Sequence, residues 1–165
     1  MHVLTERPAA GLPDAELWLD FEARQKRRHI ATLSDGREVR VQLDRLDAPL
    51  EEGDLLAGDG LCVRVCARPE PLIEARGADT DLVRGAYHLG NRHAKVMLGA
   101  DFLRTPDDPV MGAMLEHLGL EVARVEAPFM PEIGAYHHHG PGHGHDEVHQ
   151  HGHGQAKIHR FVVKP

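Results

Sequence analysis

Between residues 136 and 154 the chain reads YHHHGPGHGHDEVHQHGHG, and eight of its fourteen histidines fall within those nineteen positions. They are His137, His138, His139, His143, His145, His149, His151 and His153. Neutral imidazole is the commonest protein metal ligand and suits borderline ions such as Ni2+, Zn2+ and Cu2+. His-x-His spacing recurs at His137/His139, His143/His145 and His149/His151/His153. With glycine between them, neighbouring rings can turn toward one ion without fixed geometry, so this pattern predicts several overlapping, exchangeable sites. A rigid structural zinc site would instead need Cys/His pairs at set intervals inside a folded frame, and the chain has no such pattern. HDEVH (145–149) approaches the zinc-protease motif H-E-x-x-H, but it puts Asp146 where the catalytic Glu belongs, in Gly-His surroundings that do not support a helix. The run is interspersed with Gly, Asp and Glu and continues into KIHRFVVKP, unlike an appended purification tag. So few apolar residues cannot offset the entropy of ordering, which predicts a flexible arm over 135–165.

A second candidate lies upstream, in YHLGNRH (87–93). Leu82, Ala86, Leu89 and His93 are spaced i, i+4, i+7 and i+11, one stripe of a helix, so His93 is expected where an apolar face ends. His88 and His93 are five residues apart, about 140° around a helix of 3.6 residues per turn, and cannot chelate one ion from it. Gly90-Asn91 is an alternative stop that would change this geometry. By itself, a histidine at such a place is more often packed or hydrogen-bonded than metal-bound.

The elements that must carry these residues follow from periodicity. Residues 17–67 read as strands: DFEARQKRRHIATL leads to Ser34-Asp35-Gly36, then Val39, Val41 and Leu43 alternate onto one face, and Leu61, Val63 and Val65 do the same. The Asp-Gly at 35–36 predicts a type I′ hairpin turn, and EEGD and GDG mark further turns. From Pro69 the period changes. PLIEARGA is a strand. A helix capped by Asp79 or Thr80 runs through DLVRGAYHLGNRH, and AKVMLGADFLR gives two short strands meeting at Gly99. TPDDPVMGAMLEHLG is a helix with Asp108 at its N-cap, Pro109 in its first turn and Gly119 past its end, and LEVARVEAPF closes the sheet. The expected fold class is α+β, in three parts. A small N-terminal all-β domain (1–69) precedes a ferredoxin-like βαββαβ domain (70–134), and a disordered His-rich tail (135–165) follows.

Composition sets outer limits. Lys and Arg number 19 against 26 Asp and Glu, a formal charge of −7, which argues against a general nucleic-acid binder and is compatible with attracting divalent cations. Apolar runs such as VMLGA are far too short to cross a bilayer, so no membrane partner is expected. Two cysteines and no export signal predict a cytoplasmic protein with reduced thiols. Cys62 and Cys66 are about 13 Å apart along a strand at ~3.3 Å per residue and are read as packing. Met111 and Met114 are read as helix core. Arg24, Lys26, Arg27 and Arg28 are read as a solvated basic strand face, with docking to an acidic partner as the alternative. No nucleophile-base pair, phosphate loop or nucleotide fingerprint is present, so no catalysis is expected.

GAYHLGNRH, the following helix and PFMPEIGAY running into a histidine-rich end together resemble the UreE family, the urease accessory protein E metallochaperones. EARQKRRHIATLSDGREVRVQL…LEEGDLL resembles that family's N-terminal domain, so the likeness covers nearly the whole chain. The resemblance implies a homodimeric nickel chaperone with a peptide- or partner-binding β domain and a ferredoxin-like metal domain. Such a protein delivers exchangeable Ni2+ to apo-urease in company with accessory proteins, including an accessory GTPase. It also implies that His93 binds metal at the dimer interface. The His-x-His that some members carry before the second helix is replaced by TPDDP, so further ligands are expected from His137 onward. Zn2+ or Cu2+ could also bind, since imidazole alone does not select nickel. The competing readings are a general nickel or zinc buffer or storage protein without a dedicated client, and a peptide-binding module in which the β domain does the main job.

Overall fold

The computed structural model describes residues 1–133 of the 165. The chain is α+β and begins with two three-stranded sheets. Strands β1 (His2–Leu4), β2 (Ala15–Leu19), β3 (Arg28–Thr32), β4 (Glu38–Gln42), β5 (Leu55–Gly58) and β6 (Leu61–Ala67) assort as β1-β4-β3 and β2-β6-β5. β1 pairs parallel with β4 and β2 parallel with β6; the other pairs are antiparallel. Alternation explains the core: Val39, Val41 and Leu43 from one sheet meet Leu61, Val63 and Val65 from the other, all nearly or fully buried.

Two local expectations are corrected here. The turn at Ser34-Asp35-Gly36 is not type I′, because only Gly36 has positive φ (+87°). Gly36 N–H donates to Leu33 O at 3.0 Å and Leu33 N–H to Arg37 O at 2.9 Å, a three-residue loop with its glycine in the left-handed region. The two-residue turn with both centres at positive φ is Asp59-Gly60 (49° and 74°), joining β5 to β6. The stretch before β3 is not strand but a short helix, α1 (Phe21–Arg24), capped by Asp20, whose carboxylate accepts from Ala23 N–H at 2.7 Å. Gly58 is required by contact: a Cβ there would stand 2.1 Å from the Val3 carbonyl oxygen.

The second half is one sheet and two helices. β7 (Pro69–Arg76), α2 (Asp79–Gly90), β8 (Met97–Leu98), β9 (Phe102–Pro106), α3 (Pro109–His117) and β10 (Glu121–Pro128) follow in that order. The sheet order is β10-β7-β9-β8, every neighbouring pair antiparallel. Ile73, Ala75 and Leu103 on one face pack with Leu89 of α2 and Leu115 of α3. Asp108 caps α3 as expected, accepting from Val110 N–H at 2.7 Å and Met111 N–H at 3.2 Å. α2 departs from expectation: its N-cap is Ala78, with no side-chain cap, and Asp79 lies inside the first turn.

The other sheet face meets the first half. Leu72, Val125, Ala127 and Phe129 pack against Phe21 of α1, and the Phe21 and Phe129 rings meet edge-on at 5.6 Å. Arg24, expected on a solvated basic face, is 2% exposed in this seam. Its guanidinium donates to Leu50 O at 3.2 Å and to Phe129 O. Lys26 pairs with Glu22 at 2.6 Å and Arg27 donates to Asp44 O at 2.9 Å, so the four basic residues form no common face.

Candidate metal site

The stripe on α2 ends before His93. Leu89 is fully buried, and Leu82 and Ala86 pack beside it on the core. The regular helix stops at Gly90, and His93 stands exposed with φ +56°. His93 N–H donates to Gly90 O at 2.9 Å and Ala94 N–H to Leu89 O at 3.1 Å. These two bonds, with the residue after the last turn in the left-handed region, make a Schellman C-cap. α3 ends the same way: Gly119 N–H donates to Glu116 O at 2.9 Å, Leu120 N–H to Leu115 O at 3.2 Å, and Gly119 has φ +91°. In one helix the left-handed position is glycine; in the other it is histidine. A Cβ disfavours that conformation, and strain of this kind clusters at ligand-binding and active sites.

Below the cap the chain is fixed. Ala94 and Val96 pack on the core, and Val96 O accepts from Glu132 N–H at 2.8 Å. Val96 is three residues beyond His93, at most about 11 Å along the chain. Glu132 is therefore tied to the short segment that follows His93.

α2 presents Val83 and Tyr87 to solvent, 69% and 66% exposed, and the β8–β9 hairpin presents Leu98 at 53%. A groove of about 290 Å3 runs between Val83 and Leu98 over Leu82, Ala86 and Phe102. The His88 ring is edge-on to Tyr87 at 5.3 Å, and its carbonyl accepts from Arg92 at 3.0 Å.

Among the described residues no three His, Cys, Asp or Glu side chains gather as a metal-holding group. His93 supplies a single imidazole, and His137, His138, His139, His143, His145, His149, His151 and His153 lie outside the described residues. Other candidate donors are already engaged: Asp107 accepts from Arg124 at 3.1 Å and Asp108 caps α3. Cys66 is buried, and desolvation first, then the Glu52 carboxylate, pushes its thiol up and away from the thiolate that binds metal. Met111 and Met114 pack against the core, as read from the sequence. Sequence periodicity missed both the left-handed cap and the Arg24 seam. Gly90-Asn91 signalled the helix stop, but nothing local signalled that Arg24 meets a carbonyl 105 residues away.

Comparison with known proteins covers both halves. Residues 1–68 match the model for the N-terminal domain of UreE urease accessory protein, and residues 70–159 match the model for its C-terminal domain. The chain is 46% identical over 155 residues to a urease accessory protein UreE of Pseudomonas fluorescens SBW25, covering 91% of this chain and 90% of that one. It is 47% identical over 154 residues to that of Azotobacter vinelandii DJ (92% and 91%). To that of Alkalilimnicola ehrlichii it is 51% identical over 138 residues (82% and 85%). No helix among the described residues is long and apolar enough to cross a membrane.

Proposed function

Since the chain belongs to the UreE urease accessory protein family and so serves urease maturation as an accessory protein and not an enzyme, we propose that it is a cytoplasmic nickel metallochaperone in which His93 and the histidine-rich arm bind Ni2+ reversibly. The observation that carries this reading is the placement of His93 at a left-handed C-cap, just before the short segment to which Glu132 is tied. From Glu132 to His137 is five residues, a reach of up to about 18 Å, against roughly 11 Å of chain between His93 and the Val96 anchor. An arm histidine can therefore come alongside His93 without unfolding anything.

One imidazole leaves an ion under-coordinated. A homodimer formed through the exposed Val83, Tyr87 and Leu98 would bring two His93 rings near a two-fold axis, and arm histidines from either chain would complete the shell. The exposure of these three apolar side chains supports the dimer. Ligands from a glycine-rich arm exchange readily, which suits delivery to apo-urease with its accessory proteins, among them the accessory GTPase. Zn2+ and Cu2+ would compete for the same rings. Residues 70–134 are read as a ferredoxin-like domain, supported by the order β10-β7-β9-β8 and the βαββαβ succession. Residues 1–69 are read as the partner-binding β domain, and 135–165 as the flexible arm.

Equilibrium dialysis against Ni2+ tests this on the intact chain, a form ending at residue 134, and His93→Ala. The intact protein should bind more Ni2+ per dimer than the shortened one, and the substitution should lower occupancy in both. Equal binding by all three refutes the assignment. Pull-down with apo-urease and its accessory proteins separates a chaperone from a mere nickel buffer, which would retain none of them.

A further inference from the structure

The seam between the two halves holds a cleft of about 430 Å3 that the metal site does not use. Its apolar wall is Phe21, Leu50, Met130, Pro131 and Ile133, with Met130 44% exposed. Its rim carries Glu51, Glu52 and Glu132, all exposed. Buried Arg24 forms part of the lining, and its Nε–H has no acceptor among the described residues. Arg24 is itself surrounded by Glu70, Glu52, Asp20 and Glu51. Lys95, whose Nζ sits 4.4 Å from the Phe21 ring centroid, adds one further cation. Carboxylates outnumber cations here. The ligand such a cleft selects is an apolar segment bearing positive charge.

The chain supplies that segment. Residues 157–165, KIHRFVVKP, carry Lys157, Arg160 and Lys164 with Ile158, Phe161, Val162 and Val163, and contain no Asp or Glu. Ile133 lines the cleft, so the chain leaves from the cleft's own wall. We propose that residues 157–165 dock back into this cleft, closing residues 134–156 into a loop with both ends at the seam. Phe161 and its aliphatic neighbours would cover Phe21, Leu50 and Met130, the lysines and arginine would meet the rim carboxylates, and a segment carbonyl would accept from the Arg24 Nε–H, which has no acceptor among the described residues. A flexible tether of 23 residues has an r.m.s. span of about 25–28 Å, ample for a return to its point of departure. Its effective concentration is on the order of 1 mM. Even an intrinsic affinity of about 0.3 mM would then keep roughly three-quarters of the segment docked. The inference is independent of which metal the histidines take.

Tryptic cleavage between Lys157 and Ile158, followed by mass spectrometry on chelator-treated full chain, tests it. Glu51→Gln/Glu132→Gln removes charge from two exposed rim positions without touching Glu52, whose carboxylate accepts from Ala67 N–H. Phe161→Asp removes the apolar anchor and leaves residues 1–133 unaltered. Cleavage of the native chain should be about fourfold slower than that of either variant, the factor that three-quarters occupancy gives. Protection should be unchanged on tenfold dilution and should shrink in 0.5 M NaCl relative to a free peptide of residues 150–165. Equal rates in all three proteins overturn the proposal. So does protection that falls on dilution, because a second copy would then be the occupant.

Discussion

His93→Gly should stabilise the metal-free protein while abolishing its part in metal binding, an unusual combination for a site residue. His93 occupies the left-handed position of a Schellman cap at φ +56°, and the equivalent position of α3 is Gly119 at φ +91°. A left-handed residue with a Cβ costs about 1–2 kcal/mol, and glycine's greater freedom in the unfolded chain returns roughly 0.5–1 kcal/mol of that. The net gain should be about 0.5–1 kcal/mol, since the exposed imidazole makes no hydrogen bond with the described residues that the substitution would lose. His93→Ala keeps the Cβ and should gain nothing. Gly119→Ala, placing a Cβ in the same motif on α3, should lose about 1 kcal/mol. Urea titrations followed by circular dichroism, in chelator to exclude stabilisation by bound metal, measure all three midpoints. His93→Gly should rise above His93→Ala while both lose Ni2+ alike. A His93→Gly midpoint below both the native and the alanine protein would refute the reasoning, because it would mean the ring contributes to the fold.

Other perturbations have equally definite outcomes. Asp108→Ala removes two hydrogen bonds to the first turn of α3 and should cost about 1 kcal/mol by urea denaturation, without changing metal stoichiometry. Gly58→Ala forces a Cβ to 2.1 Å from the Val3 carbonyl oxygen; β1 must shift, so amides of residues 2–4 should lose hydrogen-exchange protection. Burial holds the His29 imidazole below its usual range, opposed in part by the Lys26 backbone, with Lys26 and Asp20 the charged groups acting on it. The unfolded chain takes up a proton near pH 6.5, before the folded chain does. Stability is therefore full above that value and is lost as pH falls through the lower folded value, and His29→Leu should flatten this slope in chemical denaturation. Ni2+ capacity of the arm should drop below about pH 6, since protonated imidazole cannot ligate; isotherms unchanged between pH 5.5 and 7.5 would point to carboxylate ligands instead.

Much of this architecture was legible because alternation and capping are local. Val39, Val41 and Leu43 could face only one way, and Asp108-Pro109 with Gly119 bracketed α3 before any coordinates. The misreadings share a cause: each depended on something several residues or a whole domain away. Asp-Gly occurs at 35–36 and at 59–60, and only the backbone on either side decides which becomes the tight two-residue turn. Arg24 looked like surface charge until Leu50 and Phe129 brought carbonyls to it across the seam. His93 counted as one more residue on a helical stripe, although Leu89 was the last position the core could bury. Its chemistry was apparent from its type and its neighbours; its aim came from a cap that periodicity does not encode. The arm histidines were recognised from composition alone.

X-ray absorption at the nickel edge of the loaded full-length protein addresses the central claim most directly. The account predicts several imidazole nitrogens about the ion, with at least one lost in His93→Ala and more lost when residues 135–165 are removed. A shell of oxygen and sulfur donors only, unchanged by either alteration, would contradict it.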